Sequence, residues 1–278
     1  MNDLMNEIDV ADWDAFEAEI AKLRPNLIRP SMSLLYRGQS NAEWKLTTTL
    51  ERAGCTGMSL VDYYRLITSS IAPAVGTFAS MDVAEWNGDV ESSFRDLHLF
   101  PTFPPPDLYR YMVYLRHHGF PSPLLDWSLS PYVAAFFAFR EADPEDGKRS
   151  VYAYCERPRG VKAGAVGAPT MRALGPYVRS HRRHFRQQSN YTICVEYKQN
   201  MWQFSEHSPV FGTGQDVLWK FNLPSTERLK VLQLLNDYNL NAFSLFDSEE
   251  TLLETLWFRE LVLRTQPFRS ASQSRGGS

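Results

Sequence analysis

Three things are scarce in this chain of 278 residues, and each scarcity narrows the function. Cysteine occurs three times, at Cys55, Cys155 and Cys194, far apart, with no CxxC pair and no metal-ligand spacing. That argues against a disulfide framework and predicts a reducing, cytoplasmic compartment. Glycine-rich phosphate loops are missing: neither GxGxxG nor GxxxxGKS/T occurs, so the standard dinucleotide and P-loop solutions are absent. Long apolar runs are missing too. The longest, Val133–Phe139, is far too short to span a bilayer, and the opening Met1–Glu7 is polar and acidic, unlike a secretory signal. A soluble protein with no membrane partner is the expectation. Net charge is only −3, so no global basic field gathers nucleic acid, and any anion must be held by a local cluster.

What is present is an ordinary globular composition, 44% hydrophobic and 22% charged, in a chain near the upper length for one domain. Asp9–Leu23 carries Ala11, Trp13, Phe16, Ile20 and Leu23 at helical spacing, and Arg24-Pro25 ends that run. Ser33–Gly38 has the pattern of a buried strand closed by a glycine turn, and Trp44–Leu50 that of a second extended piece. Leu60–Phe78 is helical in period and broken by Pro73. Phe100–Pro106, with three consecutive prolines, is a surface loop or a subdomain boundary, and Asp107–His117 follows as a helix. Pro131–Arg140 is an apolar helix with proline in its first turn and Ser130 as N-cap. Val151–Cys155, Tyr191–Tyr197 and Val217–Leu223 predict strands. Ser225–Asn236, capped by Ser225, and Glu249–Leu263 predict helices. Helices first, then strands interleaved with helices, indicate an α+β or mixed α/β domain without a regular βαβ rhythm. Residues 1–30 form an N-terminal helical segment, 31–265 the main domain, and 266–278 a disordered Ser/Gly/Arg-rich tail.

Two short constellations could carry chemistry. In Leu35–Ser40, Arg37 stands at the end of an apolar strand beside Gly38, placed to project a guanidinium that grips phosphate or carboxylate bidentately. The same hexapeptide also fits a surface arginine capping a turn. The second, Arg116–Pro131, gathers His117, His118, Gly119, Asp126, Ser128 and Ser130 into a loop that opens onto an apolar helix, whose N-terminus favours an anion. Helix capping by Asp126 and Ser130 is the plainer alternative. His117 and His118 lack a third ligand at a supporting spacing, so no metal is expected. Further on, Arg179, Arg182, Arg183 and Arg186 are spaced to share one helix face, a candidate contact for nucleic acid or a pyrophosphate, or else a solvated face.

Tyr36-Arg37-Gly38, followed by His117-x-Gly119-x-Pro121-x-x-Leu124-Leu125-Asp126-Trp127-Ser128-x-x-Pro131, resembles the FRG domain family. That family's second motif usually reads Gln-His-Tyr-Gly-Leu-Pro-Thr-Arg-Leu-Leu-Asp-Trp-Thr. Here Arg116 replaces the glutamine, Ser122 the threonine and Pro123 the arginine. A third motif is similar to Arg183-x-x-x-Gln187-x-Ser189-x-Tyr191, with serine in place of its glycine. The resemblance implies an α+β fold, a mixed sheet with flanking helices around an ADP-ribosyltransferase-like core. It further implies transfer or hydrolysis of the glycosidic bond of NAD, in a bacterial toxin or phage-defence setting. In that scheme Arg37, Gly38, His117, Asp126, Ser128 and Ser130 hold NAD, while Gln187 and Glu196 occupy the late catalytic position. A nucleotide or macromolecular acceptor would be the partner. A non-catalytic nucleotide or nucleic-acid binding module is the alternative.

Overall fold

The computed structural model describes residues 5–23, 34–79, 83–96, 98, 102–142, 147–158, 162, 167–178, 182–208, 210 and 215–264. In chain order the elements are β1 (Met5–Asp9), α1 (Trp13–Leu23), β2 (Leu34–Gln39), α2 (Thr49–Arg52), α3 (Leu60–Arg65), α4 (Ala72–Phe78), α5 (Gly88–Ser93) and α6 (Pro106–His117). Then come β3 (Leu125–Ser128), α7 (Pro131–Phe139), β4 (Lys148–Cys155), β5 (Thr170–Ala173), α8 (Arg182–Arg186) and β6 (Ser189–Lys198). The remainder are β7 (Met201–Phe204), β8 (Val217–Pro224), α9 (Arg228–Asp237), α10 (Ala242–Phe246) and α11 (Glu249–Trp257). The fold is α+β: an eight-stranded mixed sheet of order β1-β8-β4-β2-β3-β6-β5, with β7 paired to β6. Among the described residues only β1 and β8 run parallel; every other pairing is antiparallel.

Alternation along the strands divides the core. Tyr36, Val151, Ala153 and Phe221 face one way, onto α1, α7, α9 and α10, while Leu35, Tyr152, Tyr154, Trp127, Cys194 and Leu218 face the other. Tyr191, Ile193 and Val195 of β6 pack with Leu60, Tyr63, Tyr111, Met112 and Leu115 from α3 and α6. Trp13, Phe16 and Ile20 bring α1 into the first cluster at helical spacing. The two clusters on this face are separated where β2 meets β3. That ladder consists of a single pair, Tyr36 with Ser128, against six pairs between β2 and β4. The sheet therefore has a seam there.

Several expectations need correcting. Met5–Asp9, placed in an N-terminal helical segment, is an edge strand. Its register on β8 places Ile8 beside the core. Trp44–Thr48 forms no strand; the chain takes no regular structure until Thr48 caps α2 in a capping box with Glu51. Pro73 does not break its helix. A π-helical stretch, Leu66–Ile71, leads into α4 with the proline in its first turn, where a missing N–H costs nothing. Gly38 makes no turn. It lies inside β2 because α7 presses on it: a Cβ there would overlap the Ala134 carbonyl oxygen and come within 2.6 Å of the Ala138 nitrogen. Gly119 is the glycine that needs its backbone freedom, at φ 84° just past the end of α6. Ser225 caps nothing; the helix there opens with a 3-10 turn, Ser225–Glu227, and the Ser225 hydroxyl is buried without a partner among the described residues. The tail 266–278 lies outside the described residues.

Candidate functional site

The seam between β2 and β3 opens into a cleft of about 860 Å³. The strands themselves explain why it is there: with one paired residue holding them, their backbones leave a gap that side chains must fill. Arg37 fills it. The guanidinium turns into the gap and Nη1 donates to the Asp126 carbonyl oxygen at 2.7 Å, replacing a ladder hydrogen bond. Its Nε is sealed from water with no partner among the described residues. Burial pulls the group down from 12.5 to about 10, against the pull of Asp126, so it stays charged at neutral pH.

The carboxylate of Asp126 is shared. Arg116 Nη2 donates to Oδ2, and Arg37 Nη1 lies 3.9 Å from the same oxygen. One carboxylate thus organises two guanidiniums. Lys45, Arg52 and Arg183 also line the cleft, giving five cations against the carboxylates of Asp126, Glu43 and Glu141. Within this lining the excess is positive, although the chain as a whole is weakly negative. Trp44, Trp127, Phe137, Tyr191 and Phe246 supply aromatic surface.

His117 ends α6 facing Tyr191, with Nε2 2.9 Å from the phenol oxygen. That hydroxyl also lies 3.4 Å from His184 Nδ1, and His184 Nε2 donates to the Pro176 carbonyl at 2.7 Å. Burial raises the Tyr191 phenol and lowers His184, so both interior groups of this chain are neutral at pH 7.

The serines are committed to structure. Ser128 Oγ donates to the Gln187 carbonyl at 2.7 Å and accepts from the Ser130 backbone, fastening the end of β3 to the turn before β6. Ser130 is the N-cap of α7, accepting from Val133 N–H at 3.3 Å. The segment His117–Ser130 is thus not a continuous loop: Leu125–Ser128 is a strand paired with β6.

Of the residues singled out from sequence, the fold brings Arg37, Gly38, His117, Asp126, Ser128 and Gln187 to one cleft. Ser130 does not line it, and neither does Glu196. Glu196 is buried near the far end of β6, beyond the residues paired to β3, on the face of Cys194 rather than that of Tyr191. Its Oε1 is tied to Lys198 Nζ at 2.6 Å. Gln187 Nε2 donates to the Leu245 carbonyl. The arginine stripe also divides: Arg183 reaches the cleft, Arg182 and Arg186 pair with Asp247, and Arg179 lies outside the described residues. Among the described residues the helix there spans Arg182–Arg186 and carries three of the four arginines.

Sequence reasoning missed Lys45, Arg52, Phe137, Glu141 and Phe246. Arg116 had been visible only as a departure from its motif. Lys45 was hidden in a stretch taken for a strand, Arg52 lies just past that stretch at the end of α2, and Phe246 carries no local signal at all. Among the described residues no three His, Cys, Asp or Glu side chains gather to hold a metal ion, and no helix is long and apolar enough to cross a membrane.

Residues 32–147 match the family model of the FRG domain. The match runs from the start of β2 through α7 and includes the Tyr36–Gly38 and His117–Pro131 motifs; the Arg183–Tyr191 motif lies beyond it. No curated protein and no solved structure matches the chain significantly.

Proposed function

We propose that the cleft binds a nucleotide through its phosphates, with NAD the leading candidate, and that the chemistry is transfer or hydrolysis at the nicotinamide–ribose bond. The observation that carries the binding reading is the pair of guanidiniums, Arg37 and Arg116, organised on Asp126 at the seam of the sheet. Two rigid guanidiniums in a partly dehydrated cleft suit a diphosphate, because each offers parallel donors to phosphate oxygens. A volume of about 860 Å³ with aromatic walls accommodates a dinucleotide. Supporting the transfer chemistry is the resemblance to the FRG family. The toxin or phage-defence setting belongs to the same proposal.

The residues present define how the work would be divided. Arg37 and Arg116 would hold phosphate, and Ser128 and Gln187 would keep the wall in place. Glu43 and Glu141, both exposed at the cleft, are the carboxylates available to face developing positive charge. Glu196 takes no part, since its carboxylate is outside the cleft and engaged by Lys198. A second reading, binding without catalysis, draws on that same fact: the late position holds an amide, Gln187, and no carboxylate.

The deciding experiment measures NAD affinity by calorimetry and nicotinamide release by chromatography, for wild type, Arg37→Lys and Arg37→Ala, with and without nucleic acid and cell extract. Binding with release, both weakened at least about tenfold in the arginine variants, supports the transfer reading. Binding without release under any condition leaves the binding module. A folded wild-type protein that binds no nucleotide would remove both.

A further inference from the structure

Arg37 and Arg116 account for only part of the cleft lining. A second group in the lining is Phe137 of α7, Arg183 of α8 and Phe246 of α10, with Gln187 in the same lining. The Phe137 and Phe246 rings meet edge to face with centroids 5.8 Å apart. Arg183 lies over Phe246, its guanidinium carbon 5.5 Å from the ring centroid, held there because its Nε donates to the Phe246 carbonyl at 3.1 Å. Arg140 sits 4.5 Å from the same centroid and is fixed by Glu254 through two hydrogen bonds. Phe137, Arg183, Gln187 and Phe246 all keep partial exposure, so this wall is open to the cleft while its members are held in place.

We propose that this wall is the ring subsite of the cleft: the nucleobase or nicotinamide ring of the ligand seats against Arg183, Phe246 and Phe137 while its phosphates lie on Arg37 and Arg116. The inference rests on the nucleotide reading above and adds to it where the ring goes. A guanidinium plane backed by an aromatic ring is a stacking surface for flat heterocycles, and it tolerates either ring because each has a π-face. Trp44 is the competing platform. It stands exposed between Glu43 and Lys45 in the segment before α2 and also lines the cleft. Arg183, Gln187 and Phe246 lie beyond residue 147 and Phe137 within the match, so on this reading ring recognition draws mostly on the part of the chain that the family match does not reach.

The test is a calorimetric series with pyrophosphate, ADP and nicotinamide mononucleotide, run on wild type and on Phe246→Ala, Phe246→Leu, Arg183→Gln, Arg116→Gln and Trp44→Ala. Wild type is expected to bind ADP, nicotinamide mononucleotide or both about tenfold or more tightly than pyrophosphate. Phe246→Ala and Arg183→Gln should remove most of that preference and leave pyrophosphate affinity within about twofold, whereas Arg116→Gln should weaken all ligands. Whichever nucleotide shows the larger loss identifies the ring. The inference is overturned if neither nucleotide is preferred over pyrophosphate by wild type, which needs no variant to fold. It is equally overturned if the preference survives both wall variants, or disappears in Trp44→Ala instead. No binding of any ligand would remove the nucleotide reading together with it.

Discussion

At the scale of single residues, the two motif glycines do different work. Gly119 supplies a backbone angle, while Gly38 supplies absence of volume, letting α7 touch β2. Gly38→Ala should therefore cost about 2 kcal/mol or more, since the atoms in the way are backbone and cannot rotate aside. Urea denaturation would measure it; a loss below about 1 kcal/mol would mean that the helix can slide. Buried histidine sets a second expectation. His207 is almost fully buried, its Nε2 3.1 Å from Thr192 Oγ1 and its Nδ1 without a partner among the described residues. Burial, aided by the charge of Arg37, drives it down to about 3. The unfolded chain then binds the proton first, below about pH 6.5, so stability is full above that pH and falls progressively toward pH 3. His184, also lowered, adds in the same direction. Between pH 7 and 5, His207→Gln should show a shallower loss than wild type, by up to about 1.4 kcal/mol per pH unit. Equal slopes in urea midpoints would refute the assignment, and comparing the two proteins cancels the carboxylates they share.

At the scale of elements, the cleft depends on how α6, β3 and α7 are ended and started. Gly119 stops α6 so that His117 points at Tyr191. The single β2–β3 pair leaves room for Arg37, and Ser130 with Pro131 starts α7. Ser130→Ala should lower stability by about 1 kcal/mol, the usual worth of an N-cap, with nucleotide affinity unchanged because its hydroxyl is aimed at Val133 N–H. A large loss of binding with little loss of stability would instead give Ser130 a direct role. Ser128 differs, since its hydroxyl joins β3 to the Gln187 turn and so supports two walls of the cleft at once.

For the whole molecule, the sheet is the frame and its two ends are far apart in sequence. β1 pairs with β8 across more than two hundred residues, and Trp13, Phe16 and Ile20 close the core over α7 and β8. Deleting Met5–Leu23 should abolish cooperative unfolding, because it uncovers the β8 edge together with three fully packed side chains. A truncated protein with a single sharp urea transition near the wild-type midpoint would contradict this and make the segment an appendage. The positive cleft sits at the centre of that frame, between clusters built from both halves of the chain.

The helices Pro131–Phe139 and Pro106–His117 and the strands at 34–39, 148–155, 189–198 and 217–224 were legible in the sequence because each carries its own signal: a cap, a proline, a period or a β-branched run. So was the prominence of Arg37 and Asp126, through the two motifs. The pairing of one carboxylate with two guanidiniums, the exclusion of Glu196 and the entry of Phe246 were not legible. Each depends on which strand lies beside which and on which face a side chain leaves, and local residue pattern does not encode strand order. The sequence by itself determined the longer helices and strands and which residues could hold an anion, but not the short strands Met5–Asp9 and Leu125–Ser128. Tertiary structure alone decided which of them share a cleft, because a sheet seam held by one pair brings together groups as far apart in sequence as Arg37 and Phe246.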